Sequence, residues 1–300
     1  MPHVATLISN PASPALDAAA LAQARAILPA AADPKWLDAG IAADIPFTPV
    51  GAIDQRAFAD RLRAALAGRP IDVIVQATAH RRKRLFLADM DSTMIGQECI
   101  DELADHAGFK PRVALITERA MRGEIAFEPA LRERVALLKG LPQSVVDEVI
   151  AKRIVLTPGG QTLVATMRAN GAYTCLVSGG FTLFTHRIGA MIGFDEDRAN
   201  ILGMDADRRF SGLVAEPILG REAKLETLNE LRQRLGVPKE ETLAIGDGAN
   251  DIPMIEAAGL GIAYHGKPAV AQAAAARIDH NDLTALLFAQ GYGEDEFVLS

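Results

Sequence analysis

Two aspartates one residue apart, Asp89 and Asp91, follow directly on a short apolar run, Leu85-Phe86-Leu87-Ala88. Such a run suits a buried strand of a parallel sheet. A pair of carboxylates makes poor core material. At the carboxyl end of a parallel strand, however, it faces the crevice where open α/β sheets bind ligands. There two carboxylates can hold a hard cation such as Mg²⁺, which takes oxygen ligands and keeps several waters beside a phosphate. One carboxylate can also attack phosphorus and carry an aspartyl-phosphate. The same string serves equally well as a helix cap beside a solvated acid.

Three later stretches bear on that choice. A strand over 173–177 ends in Ser178-Gly179-Gly180-Phe181, where backbone N–H groups and a hydroxyl can approach an anion ahead of a helix. Glycine at strand–helix turns is common for geometry alone. Lys224 falls in the first turn of an amphipathic helix over 221–235, with Leu225, Leu228, Leu231 and Leu235 on one stripe and Gly236 past its end. A cation there opposes the helix dipole. It is either an ordinary solvated lysine or a point charge bridging a phosphate and a carboxylate. A strand over 242–245 ends in Gly246-Asp247-Gly248-Ala249-Asn250-Asp251. Asp247 could complete the Mg²⁺ sphere, with Asp251 supporting it from behind.

The elements that must place these residues are readable in outline. In residues 1–80, strands at 4–9, 36–37, 47–50 and 71–76 alternate with helices starting at Ser13-Pro14 and at Gln55. Pro46 and Pro49 confine the third strand to an edge. The order β-α-β-β-α-β is that of a small ferredoxin-like α+β unit, either amino-acid-sensing, dimerising, or purely a packing element. Between the first two catalytic signals, 98–152 reads as a charged helical block over 98–106, 112–122, 127–138 and 143–152, broken at Gly108, Pro111, Gly123, Gly140 and Pro142. It is too long for a single crossover and reads as an insertion forming a lid. Glu98, Met121, Phe127 and Arg134 are its inward-facing candidates; each alone fits a surface ion pair or the insertion's own core. A surface hairpin with a solvated acidic tip spans 201–215. A strand at 260–263, a helix over 282–288 and a fraying acidic tail, GYGEDEFVLS, complete the chain.

Composition narrows the classes. The 300 residues suffice for one large or two ordinary domains, and 49% hydrophobic with 23% charged residues describes a soluble globular protein. A net charge of −7 argues against a nucleic-acid surface. The one basic run, His80–Arg84, reads as a solvated linker. Two cysteines, Cys99 and Cys175, give no disulfide framework and fit a cytoplasmic setting. No targeting segment or membrane span is expected.

Taken in order, these strand ends and helix starts resemble the haloacid dehalogenase superfamily of phosphohydrolases. DMDSTMIGQECIDELA (89–104), ITERAMRGEIAFEPALRERVALLKG (116–140), SGGF (178–181) and AIGDGANDIPMIEAAGLGIAYHGKP (244–268) are similar to its phosphoserine phosphatase branch. The resemblance covers about residues 85–290. It implies an α/β fold: a Rossmann-like core with a parallel sheet over 81–300, a helical cap at about 96–156, and a preceding ACT-like unit over 1–80. It implies hydrolysis of O-phospho-L-serine, the last step of L-serine biosynthesis. Asp89 would be the nucleophile and Asp91 the general acid and base. Mg²⁺ would be held by Asp89, Asp247 and the backbone carbonyl of Asp91. Ser178, Gly179, Lys224 and Asn250 would hold the phosphate, and Glu98 and Arg134 would read the amino acid. A homodimer through the first 80 residues is compatible with this pattern. Three alternatives stay open: a phosphatase for another small ester, a phosphotransferase, and an inactive amino-acid-binding regulator.

Overall fold

The structure, a computed structural model, describes residues 2–121 and 124–299, with the Met121 side chain also outside the described part. The expected inward Met121 and the Gly123 breaker therefore lie outside the described residues. The first 77 residues give β1 (His3–Ser9), α1 (Ala18–Ile27), β2 (Lys35–Asp38), β3 (Ala42–Phe47), α2 (Gln55–Ala65) and β4 (Ile71–Ala77). The strands form an antiparallel sheet in the order β2-β3-β1-β4. Helix α1 starts later than the Ser13-Pro14 signal: Asp17 is the cap, accepting from Ala20 N at 2.8 Å. The third strand is likewise 42–47 rather than 47–50, and it is interior. Pro46 is tolerated there because its carbonyl, and hence its missing N–H, faces Ala32, beyond the end of β2.

Next come β5 (Leu85–Ala88), a wide turn at Met90–Met94, and four helices: α3 (Cys99–His106), α4 (Lys110–Met121), α5 (Phe127–Ala136) and α6 (Ser144–Arg153). Pro111 does not break this block; it sits in the first turn of α4, where its N–H would have had no helical partner. The block joins the core through a two-chain neck, with Gly96 N donating to Val155 O and Thr157 N to Met94 O. Helix α7 (Gly160–Ala169), not anticipated from sequence, then leads to β6 (Tyr173–Phe181), α8 (Thr182–Ile192) and β7 (Glu196–Asn200). The hairpin is β8 (Leu202–Met204) and β9 (Phe210–Val214). It is less superficial than expected: Leu202, Phe210 and Val214 are buried, and β9 packs on α5. The chain ends with α9 (Arg221–Leu235), β10 (Thr242–Gly246), α10 (Ile252–Ala257), β11 (Leu260–Tyr264), α11 (Pro268–Ala273), β12 (Ala276–Ile278) and α12 (Ala285–Ala289).

Six strands form a wholly parallel sheet in the order β12-β11-β10-β5-β6-β7. Strand β5 is central, with β6 following on one side and β10 on the other. The sheet's switch point thus lies at the carboxyl end of β5, where such sheets bind ligands.

The two sheets share a core. One face of the antiparallel sheet (Leu7, Ile45, Val73, Val75) packs on α1 and α2. Its other face (Ile8, Ala42, Ile74) joins the main core with Leu286 and Phe288 of α12. Buried polar contacts stitch the join. Asp72 accepts N–H bonds from Asp279, His280 and Asn281, and Gln76 Nε2 donates to Ala289 O at 2.6 Å. The basic run at 80–84 is no solvated linker. Arg81 pairs with Asp44 at 2.5 Å and donates to the Phe288 and Ala289 carbonyls. Lys83 donates to His80 O and Glu240 O. The last helix starts at 285 rather than 282, because the Asp282 carboxylate engages Thr284 N and Oγ1. The tail docks instead of fraying: Tyr292 is buried beneath Arg82, Phe297 packs on Phe288, and Val298 N donates to Thr166 Oγ1.

Candidate active site

β10 and β6 flank β5 in register, so three strand ends converge on one crevice. Asp89 stands at the first of them, its N donating to Ile245 O at 3.1 Å and its carboxylate accepting from Met90 N at 2.8 Å. The chain then makes the single wide turn closed by Ile95 N to Met90 O at 3.0 Å, with Ser92 at φ 54°. A left-handed non-glycine residue costs on the order of 1 kcal/mol and is met most often at functional turns. The turn keeps Asp91 beside the strand end, where its Oδ1 faces Cys99 N at 3.4 Å.

Lys224 lies beneath these acids. It is fully buried, with Nζ 2.6 Å from both Asp89 Oδ1 and Asp251 Oδ1, so its adverse place in the first turn of α9 is offset by two carboxylates. Asp251 is also buried, and its other oxygen accepts from Gly248 N at 3.0 Å. Gly246 is needed for this approach: a Cβ there would stand 2.3 Å from the Asp251 carboxyl. One oxygen each from Asp89, Asp247 and Asp251 lie within 4.8 Å of one another. Burial pushes the Asp89 carboxyl well up, with Asp251 adding to it and Lys224 opposing; burial also raises Asp247. Three buried carboxylates face one buried ammonium, Lys224, and one exposed one at the rim, Lys267. An all-oxygen donor set with surplus negative charge suits a hard divalent cation.

Above this floor is a cleft of about 220 Å³ lined by Asp89, Asp91, Glu98, Arg134, Ser178, Gly179, Asp247 and Asn250, with Phe127, Leu131 and Lys267 at its walls. Every residue singled out as a ligand for substrate or cation therefore lines the cleft, except Lys224 and Asp251, which lie under it. Ser178 is buried at the end of the regular part of β6, and its Oγ accepts from Gly180 N at 2.9 Å. That leaves one fewer backbone donor for an anion than the Ser-Gly-Gly turn suggested. From the inserted helices, Glu98 accepts from Ser92 Oγ at 2.8 Å. Arg134 donates Nε to Ala130 O at 3.3 Å. Burial, with Glu98 second, raises the Asp91 carboxyl to about 7; burial also raises Glu98 and lowers Arg134.

Two participants escaped the sequence reading. Asn200, at the end of β7, donates to Gly179 O and Leu219 O and accepts from Leu219 N, fixing the backbone beside Ser178. A lone asparagine gives no signal in sequence. Lys267 reaches Asp247 Oδ2 at 3.4 Å; its only signal was a lysine just past a strand neighbouring β10.

The family model for haloacid dehalogenase-like hydrolases matches residues 86–256, and the chain belongs to that family. Its relatives include proteins named phosphoserine phosphatase. One from Polaromonas sp. is 45% identical over 68% of this chain and 88% of its own length. Another, from Streptomyces coelicolor, is 42% identical over 78% of this chain. The chain spans only 56% of the Streptomyces protein's length. A solved haloacid dehalogenase family hydrolase from Salmonella enterica serovar Typhi is 29% identical and superposes with a TM-score of 0.85 over 98% of this chain and 99% of its own, so the likeness includes the antiparallel sheet. Among the described residues, no helix is long and apolar enough to cross a membrane.

Proposed function

We propose that this chain hydrolyses O-phospho-L-serine to L-serine and phosphate through an aspartyl-phosphate on Asp89. The observation that carries the proposal is the polarity of one cleft. Asp89, Asp91, Asp247 and Ser178 line one part of it, while the inserted helices contribute Glu98 and Arg134, a carboxylate and a guanidinium. Those two match the ammonium and carboxylate of an amino acid. The names of the relatives point the same way.

In this reading Asp89 attacks phosphorus while Ser178, Gly179 and Asn250 hold the phosphoryl oxygens. The ester P–O bond breaks, and Asp91, its carboxyl raised to about 7, gives its proton to the departing serine oxygen. Water then attacks the phosphorus and passes a proton back to Asp91. The P–O bond to Asp89 breaks and phosphate leaves. Lys224 keeps Asp89 oriented and balances part of its charge. Asp89, Asp247 and the Asp91 carbonyl would hold Mg²⁺, which supplies Lewis-acid neutralisation of the phosphate charge. Asp251 orients Lys224. Uncatalysed monoester hydrolysis is slow enough that about 20 kcal/mol of barrier must be removed, and positioning with charge neutralisation is the usual route.

The same proposal divides the chain into a regulatory or packing unit over 1–80 and a catalytic unit over 81–300, with a cap at about 96–156. It places the protein in the cytoplasm, as a homodimer joined through residues 1–80; sedimentation checks the dimer. The deciding experiment is phosphate release from L-phosphoserine with and without Mg²⁺. Turnover that needs the cation is expected. No release from phosphoserine, with turnover of other esters, would transfer the assignment to another small phosphate.

A further inference from the structure

Lys267 lies in the loop after β11, and none of the roles above uses it. Its Nζ is 3.4 Å from Asp247 Oδ2, and its backbone N donates to Asp247 O at 3.1 Å. One residue thus grips Asp247 twice. The side chain is 62% exposed, so nothing in its burial forces it there; a long flexible ammonium with access to water is drawn in by the Asp247 carboxylate, with Glu98 across the cleft attracting it from farther away.

The loop brings it to that place. His265 sits at φ 43°, its N donating to Ile278 O at 2.8 Å and its ring Nε2 lying 3.0 Å from Asn281 O. Asn281 is fixed in turn by Asp72 of the antiparallel sheet, which accepts from its backbone N at 3.1 Å and its Nδ2 at 2.7 Å. A bulky residue held in the left-handed region needs such surroundings to persist.

We infer that Lys267 is a positioning residue that competes with the divalent cation for Asp247 and so sets how tightly that cation binds. The inference rests on reading Asp247 as a cation ligand. A carboxylate oxygen paired to an ammonium is less available to a second cation, and the two positive charges repel at short range. Cation entry must push the Lys267 ammonium aside into water, which its exposure makes easy.

The test is calorimetric titration of Mg²⁺ into the full-length protein without substrate, for wild type, Lys267→Met and Lys267→Arg. Lys267→Met should bind Mg²⁺ about fivefold more tightly, the size of one partly screened charge pair. Lys267→Arg, keeping the charge, should stay near wild type. Unchanged or weaker binding by Lys267→Met overturns the inference. So does a raised KM for phosphoserine at saturating Mg²⁺ with Mg²⁺ affinity unmoved, which would make Lys267 a substrate ligand. A wild type that binds no Mg²⁺ at all defeats the cation reading itself and this inference with it.

Discussion

Arg134→Ala is the substitution that most directly probes substrate choice. The guanidinium hangs from α5 into the cleft; its Nε is spent on Ala130 O, which leaves the two Nη groups for a ligand. Two charge-assisted hydrogen bonds to a substrate carboxylate are each worth about 1.5–3 kcal/mol net. Arg134 is only partly buried, so the lower end of that range applies, and the pair together contributes about 3–4 kcal/mol. That is a loss of about two to three orders of magnitude in kcat/KM for phosphoserine. A p-nitrophenyl phosphate substrate has no carboxylate and should lose less than about fivefold, under 1 kcal/mol. The assay is kcat/KM for both substrates in wild type, Arg134→Ala and Glu98→Gln. Glu98→Gln should show the same selectivity, since it removes the partner of the ammonium. Equal losses on the two substrates would refute the reasoning, because they would mean that Arg134 serves closure of the inserted helices and not recognition.

Asp89→Asn should abolish turnover while leaving the fold intact, and acid quench of wild type with labelled substrate should leave phosphate on Asp89; label on serine or histidine would defeat the covalent route. Asp91 yields a pH signature in the cation-free protein. Its folded-state value, about 7, lies above the ordinary 3.8, so the folded chain keeps a proton that the unfolded chain loses between them. The contribution to stability therefore falls from about pH 4 to pH 7 and is level above. Asp91→Asn should remove that fall and stabilise the cation-free protein at pH 7.5 by up to about 4 kcal/mol; an equal fall of stability with pH in wild type and variant would count against it. Arg81→Met strands the buried Asp44 carboxylate and should cost about 3–5 kcal/mol in urea unfolding. A cost below about 1 kcal/mol would mean the join between the sheets is not held there.

Much of the site was legible because its chemistry sits in short strings with fixed local geometry. An apolar tetrad ending in Asp89, or β10 ending in Asp247, announces a strand end with an acid on it, and the parallel sheet then gathers those ends without further information. Lys224 was legible only as a conflict with the helix dipole; its burial between Asp89 and Asp251 depends on how α9 packs, which periodicity does not encode. Lys267 and Asn200 act through contacts set by neighbouring strands, and their local sequence carries no mark of them. Two misread pieces share one cause. The basic run at 80–84 and the acidic tail were judged by their own polarity, whereas Arg81, Lys83 and Tyr292 find partners some 150–210 residues away in sequence. The start of α1 shifted for a local reason: Asp17, four residues past Ser13, takes the cap. Pro46 was judged by its missing donor, and only the length of β2 makes that donor unnecessary.

The antiparallel sheet has one face closed by its own helices and the other by α12 and the 279–281 turn. Asn281 Nδ2 donates to Ile8 O across 273 positions of sequence. On the ribosome, residues 1–77 can fold against α1 and α2 as soon as they emerge, yet the face carrying Ile8, Ile74, Asp72 and Gln76 must wait until nearly the whole chain has been made. For that interval an apolar surface, with Asp72 and Gln76 bonded to water in place of their later partners, is open to solvent, the condition that recruits chaperones and invites association between nascent chains. Long-range closure of this kind is slow. The same turn then anchors the loop of Lys267, so completion of the last sixty residues both seals the first sheet and finishes the cleft.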